Sequence, residues 1–190
     1  MSAEVRLLED TEVDLLQGLL LLKLGALVTR TLDVWPVHAE VRDLALRRHD
    51  GRYVIIASDW SDTPQEALDY HHIEVFLSDS PLGVPVSVNE RGAESLGDPC
   101  SLIHIHPPER ITAISIYDRR EACGIESVHY DAGLLFDLAD GRRFLLSTPD
   151  SILGGLEYSA EASRIAEFTF ERSARLILEG SGSHASRPAG

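Results

Sequence analysis

The chain is short of lysine, cysteine, positive charge and long apolar runs. Lys23 is its only lysine, against sixteen arginines, a skew that fits a GC-rich genome and carries no functional weight. Cys100 and Cys123 are the only cysteines in 190 residues, too few for a disulfide framework. Free thiols in a reducing, cytoplasmic compartment are expected; a single Cys100–Cys123 bridge is the other arrangement the sequence allows. The apolar run Leu15–Leu24 is broken by Gln17, Gly18 and Lys23 and falls well short of the roughly 20 residues of a membrane span. The opening MSAEVRLLEDTEVD is acidic, whereas a secretory signal opens with positive charge. Asp and Glu number 31 against 17 Lys and Arg, a net charge of −14. Like charges repel, so neither nucleic acid nor an anionic membrane is an expected partner. No P-loop, no G-x-G-x-x-G after a strand and no G-x-S-x-G elbow is present.

What is present is a repeated pattern. Val41–Ser58 reads VRDLALRRHDGRYVIIAS and Asp131–Thr148 reads DAGLLFDLADGRRFLLST. Each joins two apolar stretches through Asp-Gly-Arg, and Asp-Gly between apolar runs is a strong hairpin signal. Superposing Asp50 on Asp140 also aligns Leu44 with Leu134, Leu46 with Phe136 and Ile56 with Leu146. The expectation is an α+β chain, mainly antiparallel β, of two similar hairpin units from an internal duplication, with two or three helices. One domain over 1–178 is expected, in halves of about 1–95 and 96–178, followed by a small, polar, disordered tail over 179–190.

Local patterns place the rest. Thr11 is read as the cap of a helix from Glu12 through the Leu-rich run, with Gly25 as its C-cap. Strands are expected at 27–35, at 73–77, at 84–88, at 101–106 (stopped by Pro107-Pro108) and at 111–117. Thr63, Pro64 and Glu66 read as a capping box opening a short helix. Asp118–Gly124 reads as a polar loop. The segment 165–178 reads as a helix and then a strand.

Charge and histidine distribution suggest the functional surface. From Tyr53 to Glu109 the only Lys or Arg is Arg91, amid Asp59, Asp62, Glu66, Asp69, Glu74 and Asp79. Such a band attracts a basic protein and speeds its association; its bland counterpart is a solvated face. Asp59, Trp60, Asp62, Glu66 and Asp69 form the expected centre of a partner interface, because an aromatic among carboxylates suits one. In type, though in no motif, the chain resembles the bacterial immunity proteins that neutralise a basic toxin, which implies a non-enzymatic binding protein. An alternative is a divalent transition metal. His104 and His106 lie on one face of a strand, with Glu109 following and His71 or His72 as a further donor. The His-x-His strand is similar to that of cupins, but the gap to Glu109 is shorter and no second cupin motif follows. A third reading is a structural subunit that assembles through the Leu-rich helix.

Overall fold

The computed structural model describes residues 2–35, 38–65, 67–81, 88–89, 92–93, 100–149, 155–170 and 172–180. In chain order the elements are β1 (Ser2–Arg6), α1 (Asp10–Gln17), β2 (Lys23–Trp35), β3 (His38–Arg47), β4 (Tyr53–Asp62) and β5 (Asp69–Ser78). There follow β6 (Val88–Asn89), β7 (Gly92–Ala93), β8 (Cys100–Cys123), β9 (Glu126–Leu138), β10 (Arg143–Ser147), β11 (Leu156–Ser159), α2 (Ala162–Thr169) and β12 (Leu176–Glu179). Among the described residues the chain is mostly β-sheet with two helices, and the sheet is mixed but mainly antiparallel.

Both hairpins form, with the same turn. Gly51 and Gly141 take φ of +86° and +85°, the left-handed region open to glycine. The Asp50 carboxylate accepts the Arg52 amide at 3.1 Å and the Asp140 carboxylate the Arg142 amide at 3.0 Å. Each arginine also donates from Nε to the same aspartate, at 3.1 and 2.7 Å. The hairpins share a turn but not a position. Strands β2, β3, β11, β10, β9 and β8 pair in succession, and β8 returns to β2, closing an antiparallel ring. Thus β10 stays in the ring, while β4 leaves it to pair with β5. β1 adds to β9 in parallel and β12 to β8. The pairings β1–β9, β2–β8 and β3–β11 all cross the division between the expected halves.

Every ring strand contributes to one core, among others Leu27, Val41, Ile114, Phe136, Phe144 and Leu156. The rings of Phe136 and Phe144 stack there, 4.5 Å apart. On the outer side of the sheet, Ile165 and Phe168 of α2 cover Tyr117, Leu135 and Leu145.

Four local expectations are corrected. The first helix is capped by Glu9, in a reciprocal box with Glu12, and ends at Gln17. The Leu-rich run then leaves the helix. Leu19–Leu22 form turns stitched to β8 through Leu21 N–H to Ile111 O and Ile111 N–H to Leu22 O. Its leucines are buried from three different elements: Leu16, Leu19, Leu22 and Leu24 all join the core. Second, Thr63-Pro64 opens a turn, not a helix, for a reason given below. Third, β8 runs straight through Pro107-Pro108. These prolines sit where the β2–β8 register jumps from Leu24↔Glu109 to Ala26↔His104, so no ladder bond needs their missing N–H. The carbonyls exposed there are taken by Arg142, which donates to His106 O at 2.9 Å and Pro107 O at 2.5 Å. Fourth, Asp118–Cys123 is strand, paired with β9. Its polarity is satisfied across the ladder by His129 on Asp118 and by the Tyr130 hydroxyl on Glu121, and along β8 by Arg119 on Glu121. The helix-then-strand reading of 165–178 holds, as α2 and β12. The expected strand at 84–88 lies outside the described residues except Val88, as does the tail from 181; Glu179 closes β12.

Asp131 is fully buried. Arg175, just before β12, grips it through Nε at 2.9 Å and Nη2 at 2.5 Å, and the Leu8 amide donates to it at 2.7 Å. Arg175→Ala should cost about 3–5 kcal/mol, because a buried carboxylate loses its cation; thermal unfolding reads this directly. A second variant tests the α2 seat. A Cβ on Gly133 would lie 2.3 Å from Cζ of Phe168. Gly133→Ala should therefore lose about 1–3 kcal/mol, and adding Phe168→Leu should recover part of that loss.

Candidate functional site

The site is the two-stranded ribbon that β4 and β5 extend away from the ring. Its register pairs Ala57 with Glu74, Asp59 with His72, Trp60 with His71, Ser61 with Tyr70 and Asp62 with Asp69. Directly opposed residues share a face, and faces alternate along each strand. The predicted partner residues are therefore divided. Trp60, Asp62 and Asp69 lie on one face with His71. Asp59 lies on the other with His72, Glu74 and Tyr70.

A distant carboxylate holds the end of the ribbon. Glu126, the first residue of β9, is buried. It accepts the Thr63 hydroxyl at 2.6 Å, the Gln65 amide at 3.0 Å and the Ala67 amide at 3.3 Å. Thr63 in turn accepts the Leu68 amide at 3.1 Å. Thr63 does cap, as its residue type suggests, but it closes a turn around Glu126. The other end of β5 is secured at its edge. One Glu12 oxygen closes the helix box, and the other accepts the Val75 amide at 2.9 Å. The Tyr70 ring packs, tilted by 34°, against Tyr130 of β9 at 5.1 Å.

On the first face, Trp60 is about half exposed (51%), beside the exposed Asp62 and Asp69. His71 opposite it is buried, and neither ring nitrogen has a hydrogen-bond partner. On the second face, one donor atom each from Asp59, His72 and Glu74 lies within 4.8 Å of the others. His72 Nε2 stands 3.8 Å from Glu74 Oε1. Burial pushes the His72 imidazole below its ordinary range, with Asp59 opposing, so the ring is neutral near neutral pH. Burial raises the Glu74 carboxyl, and the nearby Asp59 and Glu12 charges raise it further. Glu4 and Arg6 of β1, which bond each other at 3.0 Å, border the same face.

The remaining metal expectation disperses. His104 and His106 are exposed on β8, and Glu109 accepts its neighbour's amide, from Arg110. Among the described residues these three form no donor cluster with His72; the one group of three or more is Asp59, His72 and Glu74. Glu74 was missed as a site residue. Its signal, His-x-Glu on one strand face, was present, but the partner Asp59 depended on a register that a helix at 63 would have broken. Glu66 lies outside the described residues. Cys123 is an exposed free thiol, and no helix among the described residues is long and apolar enough to cross a membrane. No family model, no curated protein and no solved structure matches this chain.

The anchor can be tested through pH. Hydrogen bonding from Thr63, ahead of the opposing effect of burial, holds the Glu126 carboxyl below its ordinary range, with the Gln65 and Ala67 amides assisting. A carboxyl lowered by folding stabilises the fold above its unfolded pKa, and that contribution fades as pH falls through the folded value. The melting temperature of the parent should exceed that of Glu126→Gln at neutral pH. The gap should close below about pH 4. A pH-independent gap would remove the carboxylate from this role.

Proposed function

We propose that the chain is a non-enzymatic binding protein of the immunity type, which takes a basic protein partner on the β4–β5 ribbon in the cytoplasm. The observation that carries this reading is the pairing of Asp62 directly opposite Asp69, next to the half-exposed Trp60. Like charges placed face to face across a ladder are destabilising, and a cationic partner relieves that repulsion. An exposed tryptophan supplies a rigid apolar anchor of the kind that dominates interface energies. The ribbon is held at its end by Glu126 and at its edge by Glu12. Little ordering entropy is therefore left for binding to supply. The overall charge of −14 adds long-range steering toward a basic surface. The assembly reading lacks comparable support, since most of the Leu-rich run is spent in the core.

The test is affinity capture from the cells of origin, with the chain immobilised and retained protein eluted by salt. The expected result is a basic protein, released steeply with ionic strength. Trp60→Ala should weaken the purified complex by about 2 kcal/mol, or about 30-fold. Asp62→Asn with Asp69→Asn should mainly slow association and flatten its salt dependence. Glu179→Gln, exposed on β12, should leave both unchanged. Recovery of no basic protein, or equal losses from the β12 control, would sink the reading.

A further inference from the structure

On the face of the ribbon opposite the proposed partner surface, we infer a binding site for one divalent first-row transition-metal ion, formed by Asp59, His72 and Glu74. Strand geometry alone brings the three together. His72 and Glu74 are two apart on β5, and Asp59 is the direct cross-strand partner of His72. Their donor atoms already lie within 4.8 Å of one another. Metal bonds of about 2.0–2.2 Å hold tetrahedral donors about 3.4 Å apart, so closure needs only a small rotation of the exposed Asp59 and the half-exposed Glu74.

The imidazole points to a ligand independently of the acids. His72 is only 7% exposed. Its Nδ1 has no hydrogen-bond partner, and Nε2 faces Glu74 at 3.8 Å, beyond hydrogen-bond reach. A buried ring with an unpartnered nitrogen is costly. A cation between Nε2 and the two carboxylates would give the ring a strong partner on its other nitrogen and would offset the repulsion between Asp59 and Glu74. One imidazole with two carboxylates is a donor set for zinc, manganese or iron(II) rather than for a soft thiophilic ion. Glu4 and Glu12 add negative potential at the border, and Arg6, the one cation among the described residues that acts on His72, is engaged by Glu4. Three protein donors leave the solvent side of the ion open for water or for a group from another molecule.

The site does not depend on the partner reading, because Asp62, Asp69 and Trp60 occupy the other face. The experiment uses the full chain without a histidine tag, stripped with chelator and titrated with Zn²⁺ and, separately, Mn²⁺ by calorimetry. The expected result is one ion per chain for at least one of the two metals and a melting temperature that rises with its concentration. Asp59→Asn and Glu74→Gln should each weaken binding at least about tenfold. Both lie at exposed or half-exposed positions, so folding is expected to survive and is checked by circular dichroism. His106→Ala and Asp62→Asn should bind as the parent does. Absence of saturable binding of either metal overturns the site. So does binding that survives Asp59→Asn, or that is lost with His106→Ala.

Discussion

Strand β8 pairs with β2 along one edge over its first half and with β9 along the other over its second half. That double engagement closes the ring, and the rest of the architecture depends on it. An open sheet of these strands would leave edge N–H and C=O groups without partners, which proteins avoid by closure or by covering the edge. The closure has a weak point at Pro107-Pro108, where the β2–β8 register jumps. The second hairpin repairs it through Arg142, whose guanidinium takes the two carbonyls left free. The hairpin arginine that reads as a local turn feature is thus also the clasp between two parts of the ring.

What the ring excludes is as informative as what it contains. β4 pairs with a ring strand, but its far half reaches beyond the ring, and β5 pairs only with β4. A two-stranded ribbon is marginal by itself. This one is held by carboxylates donated from elsewhere: Glu126 at its turn and Glu12 at its edge. Once the ribbon is held in register, strand alternation separates two chemistries on a few residues. One face presents an aromatic and two facing aspartates. The other presents a neutral buried imidazole between two acids. Acidic groups that form one undivided band along the sequence become two distinct surfaces.

The legibility of this fold varied with how local its determinants were. The Asp-Gly-Arg turns, the alternation of β5 and the change from α2 to β12 depend on residues within a few positions of one another, and all three are readable. Thr63, Pro64 and Glu66 carry every local mark of a helix start. The turn forms because Glu126, sixty residues away, satisfies the amides that a helix would have used. Asp118–Cys123 reads as loop because polarity on a strand looks like solvent exposure until His129 and Tyr130 of β9 are placed opposite. His104 and His106 do share a strand, but a ligand set needs a third donor from another strand, and among the described residues no such set forms around them.

The sequence by itself determined the class of fold, the two hairpin turns and the region that carries the acidic and histidine-bearing surface. These follow from backbone preferences and strand periodicity, which act over a few residues. Tertiary structure alone decided the closing of the ring, the burial of Asp131 against Arg175 and the pairing of Asp59 with His72. The physical reason is common to all three. Each needs hydrogen-bond or charge partners that are remote in sequence, and only chain folding brings such partners within reach.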